Sequence, residues 1–268
     1  MSPGRRLAAP DSYDAIAELY DIDMGASADP GDRAWYLAHC GSGTRPVVEL
    51  GCGTGRIALE LVRAGHRVVG LDASASMLRV LAARAERELD PEQRRRLHPV
   101  RMDIRDWSAA RLFDAVLCPY SAITYLLLEV ERSRLFERVR DALAPDGHFL
   151  LDLFVPDSRI ACLPADHVHR DYRRPLPGGG FLERSKTIAQ DPTRQLNTIE
   201  RRYRILDAAG RPLRSFRTRD TIRYHYPEQM QRLLEETGFD IAEISLDFGQ
   251  GREDGPARCV AFACRRRE

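Results

Sequence analysis

The sequence predicts an α/β fold, a parallel, doubly wound sheet with a smaller antiparallel sheet inserted into it. Three observations predict this. From Val47 to Val155, short apolar runs alternate with amphipathic helical stretches, the pattern of repeated β-α units. The first of those runs passes directly into a glycine-rich loop, VVELGCGTG from Val47 to Gly55. Beyond Val155 the period shortens to two residues, the alternation of half-buried antiparallel strands.

The elements follow in chain order. Residues 1–12 carry prolines and no periodicity and read as disordered. A short amphipathic helix is expected over Tyr13–Tyr20, then a Gly/Ala/Asp/Pro loop over Met24–Asp32 and a second helix over Arg33–Cys40. Strands are expected at Val47–Leu50, Arg67–Leu71, Leu97–Asp103, Phe113–Cys118 and His148–Val155. Helices between them run over Arg56–Ala64, stopped by Gly65, and from a Ser74 cap to about Leu89. Ser121–Leu128 and Arg132–Leu143 are also expected helical, ending at Pro145 and Gly147. Residues 156–180, rich in proline and closed by Gly178–Gly180, read as an irregular connection. Antiparallel strands are then expected over 181–188, 197–206 and 214–226, with turns at Asp191–Pro192 and Asp207–Gly210. In the last of them Phe216, Thr218, Asp220, Ile222, Tyr224 and Tyr226 share one face. A helix from Pro227 to Thr237 and strands at Phe239–Phe248 and Ala257–Arg265 close the chain.

Composition excludes several function classes. Of 268 residues, 43% are hydrophobic and 30% charged, which suits an ordinary globular protein with a sizeable core. A formal net charge of +1 gives no global case for nucleic acid or an anionic membrane. No apolar run approaches the ~20 residues of a membrane span, and the basic N-terminus has no apolar segment after it. The six cysteines are scattered without a C-x-x-C pair and read as reduced thiols of a cytoplasmic protein. No residue spacing suggests a metal, and Asp166, His167 and His169 fall in the irregular connection.

The glycine loop carries the chemistry. A loop of this kind lets a ligand lie against bare backbone, and the free N–H groups of the following helix favour a polar or anionic group. The spacing is G-x-G-x-G, at Gly51, Gly53 and Gly55, and not the G-x-G-x-x-G of dinucleotide-binding loops. Glu49 stands two places before the first glycine, where a carboxylate would repel a pyrophosphate and suit a cation. This pattern resembles motif I of the class I S-adenosylmethionine-dependent methyltransferases, whose cofactor carries an ammonium and a sulfonium and no phosphate. A nicotinamide-dependent oxidoreductase and a non-catalytic scaffold of the same fold are the alternatives, and the spacing with Glu49 argues against the first. The intact set of Glu49, Gly51, Gly53, Asp72 and Asp103 argues against the second.

The resemblance covers roughly residues 13–155 and 226–265 and implies a Rossmann-like seven-stranded sheet. It divides the chain into an N-terminal helical lid (1–45), a cofactor-binding domain (46–155 and 226–268) and an inserted antiparallel lid over the substrate (156–225). It implies that Asp72 receives the ribose hydroxyls and that Ala73 to Met77 line the adenine pocket. Asp103 and Ile104 would receive the adenine edge, and Cys118 to Tyr120 would lie beneath the methionine part. Tyr20 and Trp35 belong to the lid helices, and Arg56 opens the helix after the loop. The cofactor-binding set is thus Tyr20, Trp35, Glu49, Gly51, Gly53, Arg56, Asp72, Ala73, Met77, Asp103, Ile104 and Cys118.

Methyl transfer from a sulfonium is an in-line displacement in which alignment alone supplies effective molarities of about 10⁵–10⁸ M. No fixed triad is demanded. Tyr120 with Tyr125, and His225 with Tyr224 and Tyr226, are the candidates for substrate contact, with His225 and Tyr120 the catalytic candidates. Residues 156–225 hold 15 basic and 8 acidic residues, so a basic insertion covers an otherwise acidic chain. That suits an anionic or nucleotide-linked small molecule methylated on nitrogen or oxygen, as in the aminosugar and glycine/sarcosine N-methyltransferases that this order of parts resembles. The expected partners are that substrate and a second copy of the chain in a homodimer, with neither nucleic acid nor membrane. Natural-product or sugar biosynthesis is the setting the resemblance implies.

Overall fold

A computed structural model describes residues 11–25, 31–41, 43–157, 163–250 and 256–267. The disordered reading of residues 1–12 therefore falls almost wholly outside the described residues. The central sheet has seven strands. They are β1 (Val47–Leu50), β2 (Val68–Asp72), β3 (Leu97–Arg101), β4 (Phe113–Cys118), β5 (Leu143–Phe154), β10 (Phe239–Leu246) and β11 (Cys259–Arg266). Their spatial order is β10-β11-β5-β4-β1-β2-β3. β1 to β5 pair in parallel, and β11 runs antiparallel to both β5 and β10. The order reverses between β1 and β4, which puts a topological switch point at the carboxyl end of β1.

The local sequence accounts for these elements. β1 is buried on both faces, as a central parallel strand must be, which is why VVEL shows no alternation. Helix α5 (Ala75–Glu88) starts where the Ser74 hydroxyl accepts the Met77 N–H at 3.0 Å. Helix α6 (Pro91–Arg94) starts at an Asp90–Gln93 capping box. On one face of the sheet, helices α7 (Glu129–Ala142) and α8 (Pro227–Glu236) pack over Phe136, Phe149 and Phe239, whose rings lie 5.3 to 6.3 Å apart. On the other, α3 (Asp32–His39), α4 (Ala58–Arg63) and α5 cover Val47, Leu117 and Leu150.

The second sheet is antiparallel with four strands in sequence order: β6 (His169–Pro175), β7 (Phe181–Asp191), β8 (Leu196–Leu206) and β9 (Pro212–Arg223). Its inner face meets the N-terminal helices α1 (Asp11–Ile16) and α2 (Tyr20–Met24) through Ile16, Ala17, Leu182 and Tyr203, with Met77 of α5 in the same cluster.

Several boundaries differ from the sequence reading. β6 lies inside the stretch expected to be irregular, because HRDYRRP is charged on both faces and hides its alternation on an edge strand. The helix expected over Tyr13–Tyr20 is broken by a 3₁₀ turn at Ala17–Leu19, and Ser121–Leu128 forms only a 3₁₀ turn at Ala122–Tyr125. β5 begins at Leu143 instead of His148, since Leu143 and Ala144 are already buried and extended ahead of Pro145. β9 ends at Arg223, so Tyr226, expected to share a strand face with Phe216 and Asp220, instead precedes α8 and is 48% exposed.

Phe239 is completely buried at the centre of the three-ring cluster. Phe239→Ala is expected to lower the unfolding free energy by about 3–5 kcal/mol, measured by urea denaturation.

Candidate active site

At the switch point the chain leaves β1 and turns back under the end of β2. The Gly51 and Cys52 N–H groups both donate to the Leu71 carbonyl, at 2.8 and 2.9 Å. Gly51 has φ +74, a conformation that favours glycine, and a Cβ there would sit 3.1 Å from the Ala122 methyl of the loop after β4. Asp72 closes the floor. Its Oδ2 accepts the Gly53 N–H and its Oδ1 the Ser74 N–H, each at 2.8 Å. Each oxygen retains a lone pair, the arrangement a vicinal diol requires.

This floor opens into a cleft of about 1400 Å³. Tyr20, Gly51, Gly53, Asp72, Ala73, Met77, Asp103, Ile104 and Tyr120 all line it. Of the expected set, these are the residues the structure brings together on one wall. Asp103 lies in the loop beyond β3, which ends two residues earlier than expected, and its carboxylate is paired with the Arg105 guanidinium at 2.5 Å.

Four expected cofactor residues stand behind that wall. Glu49 is buried in β1, and its Oε2 has no hydrogen-bond partner. Burial pushes its carboxyl up to about 8, against the pull of nearby Arg56. Arg56 makes a two-pronged ion pair with buried Asp32, at 2.7 and 2.6 Å, and its guanidinium lies 5.4 Å from the Tyr120 ring centre. Cys118 is fully buried at the end of β4, where burial raises its thiol pKa. Trp35 packs on Tyr36 and Phe248 and donates its indole N–H to Glu243 at 3.1 Å, so it fastens α3 to β10.

The loop after β4 is held by a residue that the motif search did not single out. Tyr120 and Ser121 both adopt left-handed backbone conformations, with φ +53 and +57. Asp152 of β5 accepts their N–H groups at 2.7 and 3.1 Å, and also the Tyr36 hydroxyl at 2.7 Å. Such φ values cost energy in non-glycine residues and persist where the surroundings fix them. Asp152 supplies that restraint, and its carboxyl is pushed up to about 6 by burial. The sequence did carry a signal for it, a lone carboxylate inside the apolar run HFLLDLF.

His225, expected against the substrate, is not among the residues lining the cleft. It is buried, its Nε2 has no partner, and burial together with Arg132 and Arg223 pushes its pKa down to about 3. It is therefore neutral across the physiological range, and nothing in its position supports a catalytic role. The outer part of the cleft is instead lined by Arg134, Arg138, Arg194, Arg219 and Arg223, with Asp220 of β9 on the inner face of the second sheet.

A seven-stranded sheet with this order, a G-x-G-x-G loop at its switch point and an acid closing β2 are the fold and floor that the resemblance to S-adenosylmethionine-dependent methyltransferases implies. A methyltransferase domain matches residues 47–147. A methyltransferase-named protein of Geobacillus sp. (strain WCH70) is 25% identical over 264 residues, 95% of this chain and 100% of that one. The glycine/sarcosine N-methyltransferase of Parasynechococcus marenigrum (strain WH8102) is 28% identical over 81% of this chain and 71% of its own length. Among solved structures, the CcbJ methyltransferase from Streptomyces caelestis superposes with a TM-score of 0.75 at 25% identity, covering 96% of this chain and 98% of that one. Residues 47–147 form a methyltransferase domain, and S-adenosylmethionine is the cofactor that this match and the solved neighbours support.

The residues present fit that cofactor. The Oε2 atom of Glu49, buried behind the glycine loop without a partner, is an acceptor whose ionised form a nearby cation would favour, and Asp72 offers its carboxylate to the ribose diol. When bound, the cofactor supplies an electrophilic methyl carbon on a sulfonium.

Asp72→Ala is expected to weaken S-adenosylmethionine binding by about 1.5–3 kcal/mol in calorimetry, the range for charged hydrogen bonds. Glu49→Gln tests the buried acid. A carboxyl raised in the folded state contributes stability that is full below its unfolded value near 4.3 and is lost as pH rises through about 8. The ligand-free variant is therefore expected to match the parent at pH 4 and to be more stable at pH 8. The gap should widen by at most about 1.4 kcal/mol per pH unit between those limits, read from denaturant titrations.

Proposed function

We propose that the chain methylates a nitrogen atom of a small molecule that also carries negative charge, in natural-product or sugar biosynthesis. The observation that carries this reading is the arginine-lined outer cleft, continuous with the cofactor floor. A cavity bounded by Arg134, Arg194 and Arg219 attracts carboxylate or phosphate and disfavours a neutral acceptor. Nitrogen as the acceptor is supported by the relative that methylates glycine and sarcosine. Aligned in the cleft, an amine needs its lone pair directed at the methyl carbon more than it needs a strong base. No described helix is long and apolar enough to cross a membrane, and with five free cysteines among the described residues we place the protein in the cytoplasm.

The test is a methylation assay with isotopically labelled S-adenosylmethionine, read by mass spectrometry. It compares amines bearing a carboxylate or phosphate with their neutral counterparts. The charged amines are expected to be preferred. Arg194→Ala and Arg219→Ala are each expected to raise KM about tenfold with kcat little changed, the signature of lost ground-state binding. A preference for the neutral amines would overturn the reading.

A further inference from the structure

Asp220 is the one described acid lining the cleft that is almost wholly buried, at 4% exposure. It sits on the inner face of β9, cross-strand from Ile199. The other acids of the wall are more exposed, and three have evident structural or cofactor tasks. Asp72 holds the glycine loop, Asp103 pairs with Arg105, and Glu131 accepts the Leu128 N–H at the start of α7. Asp220 is paired through Oδ2 with Arg201 of β8.

An aromatic path joins the cofactor floor to this carboxylate. Tyr20 and Tyr120 line the cleft beside the glycine loop. Tyr13 packs edge-to-face on Tyr20 at 6.0 Å and on Tyr125 at 5.8 Å, and the Tyr13 and Tyr125 hydroxyls share a 2.6 Å hydrogen bond. Asp220 and its partner Arg201 both act on the Tyr125 hydroxyl, whose pKa burial raises. Aromatic faces next to a buried carboxylate suit a nitrogen that becomes cationic.

We propose that Asp220 receives the acceptor nitrogen of the methyl-transfer reaction, accepting its N–H and stabilising the positive charge it gains. The assignment rests on the nitrogen-acceptor reading above. In the step itself the amine lone pair forms the N–C bond while the C–S pair leaves with sulfur. One positive charge thus passes from sulfur to nitrogen. A neutral amine that donates an N–H to Asp220 keeps its lone pair for the methyl, and the carboxylate is worth more to the charged product than to the neutral reactant. This differential interaction identifies Asp220 as a specificity-determining group for amines over alcohols.

The test uses the full chain saturated with S-adenosylhomocysteine and two probes of equal shape, n-butylamine and n-butanol, at pH 7. At that pH the amine is an alkylammonium and stands in for the charged product. Ligand-observed NMR titration is expected to give at least tenfold tighter binding of n-butylamine than of n-butanol. Asp220→Asn should remove that preference while the affinities for n-butanol and S-adenosylhomocysteine stay unchanged. Asp220→Ser provides the same reading if the amide disturbs Arg201, and retained S-adenosylhomocysteine affinity shows that either variant is folded. Equal binding of the two probes to the parent, or a preference that survives both substitutions, would overturn the proposal. Failure of the parent to bind S-adenosylhomocysteine would instead remove the cofactor reading beneath it.

Discussion

Backbone amides just beyond the ends of parallel strands lose their ladder partners, and at the carboxyl edge of this sheet two carboxylates accept them. Asp72 takes the Gly53 and Ser74 N–H groups, and Asp152 takes those of Tyr120 and Ser121. Each acid bridges neighbouring strands, so the loops after β1, β2 and β4 are fixed relative to one another on either side of the switch point. A carboxylate oxygen can accept more than one hydrogen bond, so Asp72 can hold the loop and still receive a ligand. An amide or hydroxyl in its place would have fewer acceptor positions and no charge. The cleft therefore depends on ionised acids at strand ends, in surroundings that disfavour ionisation.

That tension appears in the direction of the shifts. Burial raises the carboxyls of Glu49, Asp72 and Asp152, and the hydrogen bonds from backbone or tyrosine lower them only part of the way. A fold built for stability alone would fill these positions with apolar side chains. Retaining acids there keeps carboxylate oxygens beside the glycine loop and the loop after β4, at positions the sheet makes rigid.

The parallel sheet and the cofactor floor were legible in the sequence because both rest on local patterns. The alternation of apolar runs with helices placed β1 to β4 within a few residues, and Gly51, Asp72 and Asp103 fall where the motif spacing put them on one cleft. What escaped depended on contacts distant in sequence. β6 was hidden because an edge strand charged on both sides has no periodicity to read. His225 looked available beside two tyrosines, but it is buried near Arg132, a residue far away in the sequence that no local window contains. Asp152 and Asp220 share a signal with Glu49 that could have found them. Each is the lone carboxylate on a buried strand face, where an acid without a task is energetically costly.

The N-terminal helices show how the two sheets are joined into one cleft. Four acids on them reach in two directions. Asp14 accepts from the Ser74 hydroxyl at 2.6 Å, Asp21 from Thr54 at 2.8 Å, and Asp32 pairs with Arg56, all on the loops that follow β1 and β2. Asp23, buried, faces the other way and meets Arg184, Tyr172 and Tyr203 of the second sheet. Tyr13 and Tyr20 lie on the same short segment, between the loop that holds the cofactor and the sheet that carries Asp220. Side chains of this one segment are thus bonded both to the cofactor loop and to the second sheet. The N-terminal segment that lends Tyr13 and Tyr20 to the cleft is thereby anchored to both sheets.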